Sequence, residues 1–280
     1  MNMDLIEVRA LRAARTRADL RVNEHVRPLA GGTWLYSEPQ PGLEELVDLM
    51  TLGWTPVDAE ATGGLRIAAT CTIAQLLAHP ADPAWGPGVA PLFRRAAESL
   101  VASWKIWNAA TVGGNVCMAL PAGAMTSLTS ALDGEALIWQ ADGGERRLPI
   151  TEFVTGVRTT ALSPGEVLRR IDLPAHALRA RVGFRRSALA PLGRSGAIVI
   201  ARRDVAGSFV ATVPAATTRP HRVWFAAPPT AAELREAIEA SVAAGDGWYD
   251  DAHGAPDWRR ARTLAMAEEL RLELTAEEAR

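Results

Sequence analysis

Apolar residues recur at helical spacing in several segments of the chain. The clearest begins at Val89, where apolar positions three and four residues apart form one face up to Val101. Leu11, Ala14 and Ala18 show the same spacing, which favours a first helix. The helices predicted in this way are residues 8–20, 73–77, 89–101, 121–133, 231–244 and 257–274.

Short apolar runs that end at turn residues predict strands between these helices. Two pairs of runs flank turns that contain glycine, residues 141–144 and 204–207, and each pair is typical of a β-hairpin. The predicted strands are residues 26–29, 65–69, 136–139, 146–150, 167–173, 197–202 and 208–213. Strands and helices alternate early, and antiparallel hairpins with helices follow, so the pattern predicts an α+β fold.

Length and charge narrow the function classes. The 280 residues correspond to about two domains, and Ser163-Pro164-Gly165 is a plausible boundary. The formal charge of 30 − 32 = −2 argues against general binding of nucleic acid or anionic membranes, which needs a basic surface. No apolar run approaches the roughly 20 residues of a membrane span, and Met1 to Leu20 lacks a signal-peptide core. A cytoplasmic protein is expected.

The metal-ligating side chains are few. The two cysteines, Cys71 and Cys117, cannot hold an iron–sulfur cluster alone, and the five histidines lack metal-ligand spacing. We therefore expect no metal on this chain and interpret Cys117 as a small buried apolar residue rather than a nucleophile. Any redox chemistry needs another cofactor.

Four Gly-Gly pairs stand in the chain, and two of them have flanks that suit an anion site. The pairs at 63–64 and 143–144 are interpreted as hairpin turns. The pairs at 31–32 and 113–114 lie beside threonine or asparagine, and paired glycines leave backbone N–H groups free to surround an anion. A simple turn remains the alternative for each. Because Lys105 is the only lysine, backbone amides suit a diphosphate here.

The flanks of these two pairs carry a family resemblance. Leu29-Ala30-Gly31-Gly32-Thr33 is similar to an A-G-G-T/S signature, and Ile106-Trp107-Asn108-Ala109-Ala110-Thr111-Val112-Gly113-Gly114-Asn115 to I-R-N-x-A-T-[IV]-G-G-N. Both belong to the FAD-binding medium subunit of the molybdenum hydroxylases, the xanthine dehydrogenase and carbon monoxide dehydrogenase flavoprotein family. Later segments, up to Trp258-Arg259-Arg260, resemble this family in the same order.

The resemblance implies a two-part FAD-binding domain and a second domain. The first comprises residues 1–165, with a small βα subdomain over about 1–58 and a larger antiparallel subdomain over about 59–165. A C-terminal α+β domain covers 166–280. The family also places a strand at Leu46 to Leu49, although Leu43, Leu46, Val47 and Met50 have helical spacing. We follow the family at that segment.

The resemblance also assigns a cofactor site. FAD phosphates and ribitol are expected at the two glycine loops, Leu162 near the flavin, and Arg185 where relatives carry a basic residue close to the ring. The site residues implied are Ala30, Gly31, Gly32, Thr33, Trp34, Thr111, Val112, Gly113, Gly114, Asn115, Ala124, Leu162 and Arg185. Trp34, Trp107 and Ala124 depart from the family pattern, and Ala124 replaces an aspartate that bonds FAD.

The function implied is electron transfer within a complex. A large molybdenum-cofactor subunit and a small iron–sulfur subunit would be partners, in a dimer of heterotrimers, and FAD would pass electrons to NAD, dioxygen, a quinone or another acceptor. No side chain is assigned as catalytic. The alternatives are a repurposed assembly subunit with weak or altered FAD binding, and a standalone flavin oxidase. Trp104 and Trp107 flank the second loop, where either flavin contact or core and interface packing would explain them.

Overall fold

A small parallel sheet forms the N-terminal unit. The protein is described by a computed structural model over residues 5–276, and the sheet has the strand order β1-β3-β2. Its strands are β1 (Ala10–Ala13), β2 (Val26–Leu29) and β3 (Glu45–Asp48). β3 is the central strand, and both Leu46 and Val47 are buried, one on each face. The strand implied by the family at this segment is confirmed, and the helical spacing there is misleading.

The helix predicted over residues 8–20 is wrong. The segment forms β1, which pairs with β3, and then a single 3-10 turn at Arg17–Asp19. The turn forms because the Asp19 carboxylate accepts hydrogen bonds from the N–H groups of Arg15 and Thr16, at 2.8 and 2.7 Å. Leu11 is 62% exposed, so the apparent helical face buries little. The outer ends of the predicted domains, residues 1–4 and 277–280, lie outside the described residues.

An antiparallel five-stranded sheet with helices on it forms the second unit. The sheet order is β4-β5-β10-β6-β7, and β8 and β9 form a separate pair. The strands are β4 (Val57–Ala59), β5 (Leu65–Ala68), β6 (Glu135–Trp139), β7 (Glu145–Pro149), β8 (Val154–Gly156), β9 (Thr159–Thr160) and β10 (Val167–Leu173). The helices are α1 (Ile73–Ala78), α2 (Val89–Ser99), α3 (Trp104–Trp107), α4 (Val112–Met118), α5 (Ala124–Ala131) and α6 (Ile150–Phe153).

Two helices of this unit show how the sequence pattern maps onto burial. The apolar face of α2 is buried at Leu92 and Phe93, as its spacing predicts. The helix predicted from Pro121 begins later, at Ala124, because Ala122 adopts a left-handed backbone with φ of 59°. All eight residues of α5 are buried, so this helix forms the centre of the unit.

The third unit is a four-stranded antiparallel meander between two layers of helix. Its elements are α7 (Ala175–Leu178), β11 (Arg181–Ser187), β12 (Ala197–Arg203), β13 (Phe209–Val213), β14 (His221–Phe225), α8 (Ala231–Ala243) and α9 (Pro256–Thr275). β12 is buried on both faces. Ile198 and Ile200 join the core of the second unit, whereas Ala197, Val199 and Ala201 pack in the core beneath α8 and α9.

The three units together confirm the predicted α+β fold. β10, which follows the boundary predicted near residue 165, is hydrogen-bonded between β5 and β6. The sheet of the second unit therefore extends past that boundary. Among residues 5–276, none of the helices combines the length and hydrophobicity that crossing a lipid bilayer requires.

Aromatic and cationic side chains hold the first unit against the second. The Arg17 guanidinium lies 4.8 Å from the centre of the Trp139 ring and donates to the Gly144 carbonyl in the β6–β7 turn. Trp139 meets Trp54 edge to face, with ring centres 5.3 Å apart. Among the described residues, the buried apolar cluster within the first unit is small and is formed by Leu29, Leu43 and Leu46, so these contacts help to position the unit.

Asp133 joins the second unit to the third. It follows α5 and accepts hydrogen bonds from the nearly buried Arg202 of β12 and from Arg222 of β14, the latter at 2.7 Å. Burial alone would raise the pKa of the Asp133 carboxyl, but the hydrogen bond and charge of Arg202, together with Arg222, hold it below its usual value.

We predict that Asp133→Ala lowers the free energy of unfolding by about 1–3 kcal/mol, because it removes one of the two carboxylate partners of the buried Arg202 and leaves it paired with Asp204 alone. In the parent protein the stabilisation from Asp133 is complete above the ordinary carboxyl pKa of 3.8 and is lost as the pH falls below it, since the folded-state pKa is lowered. Urea unfolding at several pH values measures both effects. Glu236→Ala, on the exposed face of α8, is the control; equal stability of the two variants would contradict the role of Asp133.

Candidate functional site

Two glycine loops from different units meet in direct backbone contact. The first loop, Ala30–Trp34, follows β2, and the second loop, Thr111–Asn115, begins α4. A Cβ placed on Gly31 would lie 1.8 Å from the Ala109 carbonyl oxygen just before the second loop. Such an atom cannot be accommodated, so only glycine allows this approach.

Glycine is required at two further positions in these loops. A Cβ on Gly113 would lie 2.5 Å from the Ala69 Cβ, so the second loop packs closely against the chain after β5. Gly32 adopts a left-handed backbone with φ of 67°, and a Cβ there would meet the Tyr36 ring at 2.4 Å. The glycines of both loops therefore have packing or conformational reasons of their own.

The N–H groups of the second loop are already bonded within the protein. Val112 donates to the Cys71 carbonyl at 2.8 Å, and Gly113 to the Ala69 carbonyl at 3.0 Å. Gly114 donates to the Thr111 hydroxyl at 3.0 Å, in an N-cap of α4. The expectation of free amides in this loop is therefore wrong for these three groups, because they tie α4 to the sheet.

The first loop has the opposite hydrogen-bond pattern. Its carbonyls accept bonds, from Tyr36 N–H to Gly32 at 2.9 Å and from Ser37 N–H to Trp34 at 2.9 Å. The N–H groups of residues 31–34 have no acceptor among the described residues. Successive amides without acceptors are the feature that an anionic ligand needs.

Asn115 joins the second loop to α5. Its side-chain oxygen accepts a hydrogen bond from the Met125 N–H at 2.8 Å, which caps the first turn of α5. This bond fixes the orientation of the Asn115 amide group. The NH2 of the same group has no acceptor among the described residues, and Asn115 lines the cavity described next, so the NH2 can donate to a ligand there.

A cavity of about 360 Å³ lies between the two loops. Both loops line it, and apolar side chains from α3, α4 and β10 complete the wall, among them Ile106, Met118 and Leu168. A smaller chamber of about 200 Å³ adjoins it, and the two share Leu100, Asn115, Leu120 and Arg194 as lining residues. A largely apolar cleft with a few polar groups is typical of a cofactor site.

Most of the residues assigned by resemblance line this cavity, and three do not. The residues that line it are Ala30, Gly31, Gly32, Thr33, Trp34, Thr111, Gly113, Gly114, Asn115 and Leu162. Val112 and Ala124 are fully buried in the core. Arg185 faces α9, where its guanidinium bonds the carboxylates of Glu269 and Glu273 at 2.9 and 2.6 Å.

The two tryptophans beside the second loop do not line the cavity. Trp104 is 68% exposed on α3, and Trp107 packs against the core of the second unit. Trp34 does line the cavity, and the Arg158 guanidinium lies 5.5 Å from the centre of its ring. Arg158 also approaches the Glu38 carboxylate at 3.7 Å.

Cys117 lines the cavity without a reactive sulfur. Burial raises the pKa of its thiol to about 12, so the thiol stays protonated at neutral pH and is a poor nucleophile. This agrees with its interpretation as a small apolar residue. Glu166 and Arg194 also line the cavity. The sequence carries no signal for either, because each comes from a segment without a motif.

The comparisons with known proteins identify the family. The model of the FAD-binding domain in molybdopterin dehydrogenase matches residues 6–176. No curated protein matches the chain. The predicted family and its cofactor, FAD, are thereby confirmed, as is an oxidoreductase class.

Solved structures share the fold over nearly the whole chain. Quinoline 2-oxidoreductase from Pseudomonas putida 86 is 22% identical, with a TM-score of 0.75 over 95% of this chain and 96% of that one. The carbon monoxide dehydrogenases of Oligotropha carboxidovorans and Hydrogenophaga pseudoflava are each 20% identical, with TM-scores of 0.74 over 93% of this chain and 95% of theirs. These likenesses establish the fold.

We predict that Gly31→Ala destabilises the protein, because its Cβ cannot avoid the Ala109 carbonyl and the loops must separate. The expected loss is about 1–3 kcal/mol, as for other overpacked sites, measured by urea unfolding. Gly156→Ala is the matched control, since its nearest neighbour would lie at 3.9 Å, an ordinary contact. If both variants unfold at the same urea concentration, the loop contact does not constrain the fold.

Proposed function

The chain belongs to the family of FAD-binding domains in molybdopterin dehydrogenases, and on that premise we propose that it is an electron-transfer subunit that binds FAD between its two glycine loops. The observation that carries this proposal is the row of amides without acceptors in the first loop, residues 31–34, at one wall of an otherwise apolar cavity. A dinucleotide needs both features, donors for its diphosphate and apolar surface for its rings.

The residues present suit FAD. The first-loop amides would hold the diphosphate without lysine, and the Asn115 NH2 and the Thr33 hydroxyl would add donors from side chains that line the cavity. Leu162, Met118 and Leu168 supply apolar wall. Val112 and Ala124 contribute through packing rather than contact, since both are fully buried outside the cavity wall.

Bound FAD would supply the redox chemistry, since a flavin accepts and releases electrons singly or in pairs. The chain's own residues bind and orient it. The apolar wall excludes water, and the neutral Cys117 thiol adds no reactive group beside it. We assign no side chain as a catalytic acid, base or nucleophile, and this absence suits a relay of electrons rather than a site of substrate conversion.

Electron transfer needs partners on either side of the flavin. We propose a large molybdenum-cofactor subunit and a small iron–sulfur subunit, assembled as a dimer of heterotrimers in the cytoplasm. Cys71 and Cys117 are both free thiols, so iron–sulfur clusters belong on another chain. The final acceptor would be NAD, dioxygen, a quinone or another carrier.

The reconstituted complex tests this role. The purified chain and the assembled complex should both show a flavin absorption spectrum. The substrate should bleach this spectrum in the complex and leave it unchanged in the chain alone. A colourless complex that still transfers electrons to an artificial acceptor would contradict the relay and support an assembly subunit. Turnover by this chain alone would support a standalone oxidase instead.

Asn115→Asp separates binding from stability. The aspartate keeps an oxygen acceptor for the Met125 N–H, but it removes the NH2 donor and adds negative charge beside the ligand. We expect FAD affinity to fall tenfold or more, as for hydrogen bonds to charged groups at about 1.5–3 kcal/mol, with urea stability changed by about 0.5 kcal/mol at most.

Equilibrium titration with FAD and urea unfolding are the two measurements for this variant. Asn115→Ala is the comparison, since it removes the Met125 acceptor as well and should lower both affinity and stability. Unchanged FAD affinity in Asn115→Asp would show that this side chain does not contact the cofactor.

A further inference from the structure

Two carboxylates line the cavity and its side chamber, and each is neutralised by its own arginine. Glu166 accepts two hydrogen bonds from Arg146, at 2.8 and 2.6 Å. Asp251 accepts a hydrogen bond from Arg259, which is 1% exposed. Each carboxylate is therefore already paired, and neither neutralises a further cation in the cavity or the side chamber.

Arg194 brings a further positive charge to the same space. It lines both the cavity and the side chamber, at the place where they meet. Among residues 5–276, no carboxylate pairs with its guanidinium and no hydrogen bond holds it. Its charge therefore remains available to a ligand.

Arg186 holds the residues on both sides of Arg194. The Arg186 guanidinium donates to the Gly193 carbonyl and, at 2.6 Å, to the Ser195 hydroxyl. Gly193 also donates its N–H to the Ala190 carbonyl at 2.9 Å, and Ser195 is 5% exposed. The loop between β11 and β12 thus presents Arg194 from an anchored position.

Arg185, the basic residue that the family resemblance assigns to the flavin, is committed elsewhere. Its guanidinium bonds two carboxylates of α9, Glu269 and Glu273, and it lines neither the cavity nor the chamber. The arginine that lines the cavity is instead Arg194, nine residues later in the chain.

Arg194 and the amides of the first loop line different parts of the cavity. The free amides of residues 31–34 line the main cavity alone, whereas Arg194 stands at its junction with the side chamber. A diphosphate held by those amides leaves a terminal ring for the junction. A cation at that end affects the redox reaction when the ring there is the isoalloxazine, since uptake of two electrons and one proton leaves this ring with a net negative charge.

We propose that Arg194 is the positioning cation of the flavin site and stabilises the reduced isoalloxazine relative to the oxidised one. The proposal rests on the proposed function, because it requires FAD in the cavity. Arg194 is exposed, and an exposed cation near the developing charge contributes a modest Coulomb interaction.

Redox titration of the FAD-loaded full-length chain tests the proposal. Arg194→Gln should lower the midpoint potential of the bound flavin, as the affinity for reduced FAD falls about fivefold relative to that for oxidised FAD. Arg194→Lys keeps the charge and should restore most of the effect. Arg185→Gln decides between the two arginines and should leave the potential unchanged, as should Arg95→Gln, an exposed control on α2.

Other outcomes overturn the proposal. A potential that is the same in Arg194→Gln and the parent chain contradicts it, and so does a shift in Arg185→Gln alone. Equilibrium titration with ADP, which carries the diphosphate without the flavin, gives a further outcome. If Arg194→Gln loses affinity for ADP and its potential is unchanged, Arg194 lies at the diphosphate instead. If the parent chain binds no FAD at all, the proposed function itself fails, which the same titration reports separately.

Discussion

The close backbone contact between the two glycine loops is the constraint on which the site depends. Gly31 lies against the Ala109 carbonyl, and Gly113 lies against Ala69. The first contact joins the N-terminal sheet to the second unit, and the second joins α4 to the residue that follows β5. Because neither contact tolerates a Cβ, the spacing of the cavity walls is set by backbone atoms, which vary less than side chains do.

The two loops differ in how their backbone N–H groups are used. The second loop uses the N–H groups of Val112, Gly113 and Gly114 to attach itself to the protein, and so it forms a fixed wall. The first loop leaves its amides without acceptors, and so it can serve an anion. The small core of the first unit makes its attachment through Arg17 and Trp139 important for this arrangement. A site assembled before the ligand arrives costs less to order on binding.

The sequence predicts elements well where burial follows one regular period. The helices α2 and α8 agree with the pattern because neighbouring elements cover one face of each. The segment over residues 8–20 fails because β1 pairs with β3 and because the Asp19 carboxylate accepts hydrogen bonds from the N–H groups of Arg15 and Thr16, which form a separate turn. Helical spacing alone does not report such a competing interaction.

The candidate site shows the same limit. The glycine loops are recognisable from their flanks, yet the sequence does not tell which amides find acceptors inside the protein. Nor does it tell which arginine faces the cavity. Arg185 lies on a strand whose register turns it toward α9, whereas Arg194 lies in the following loop. Both outcomes depend on how elements pack, and that information is not local to any motif.

Amide hydrogen exchange, with and without FAD, tests the division between the loops most directly. In the absence of FAD, the amides of residues 31–34 should exchange fast and those of residues 112–114 slowly, because only the latter have acceptors. Addition of FAD should slow exchange at residues 31–34 and change residues 112–114 little. Unchanged exchange at residues 31–34 in the FAD-bound protein would contradict the account.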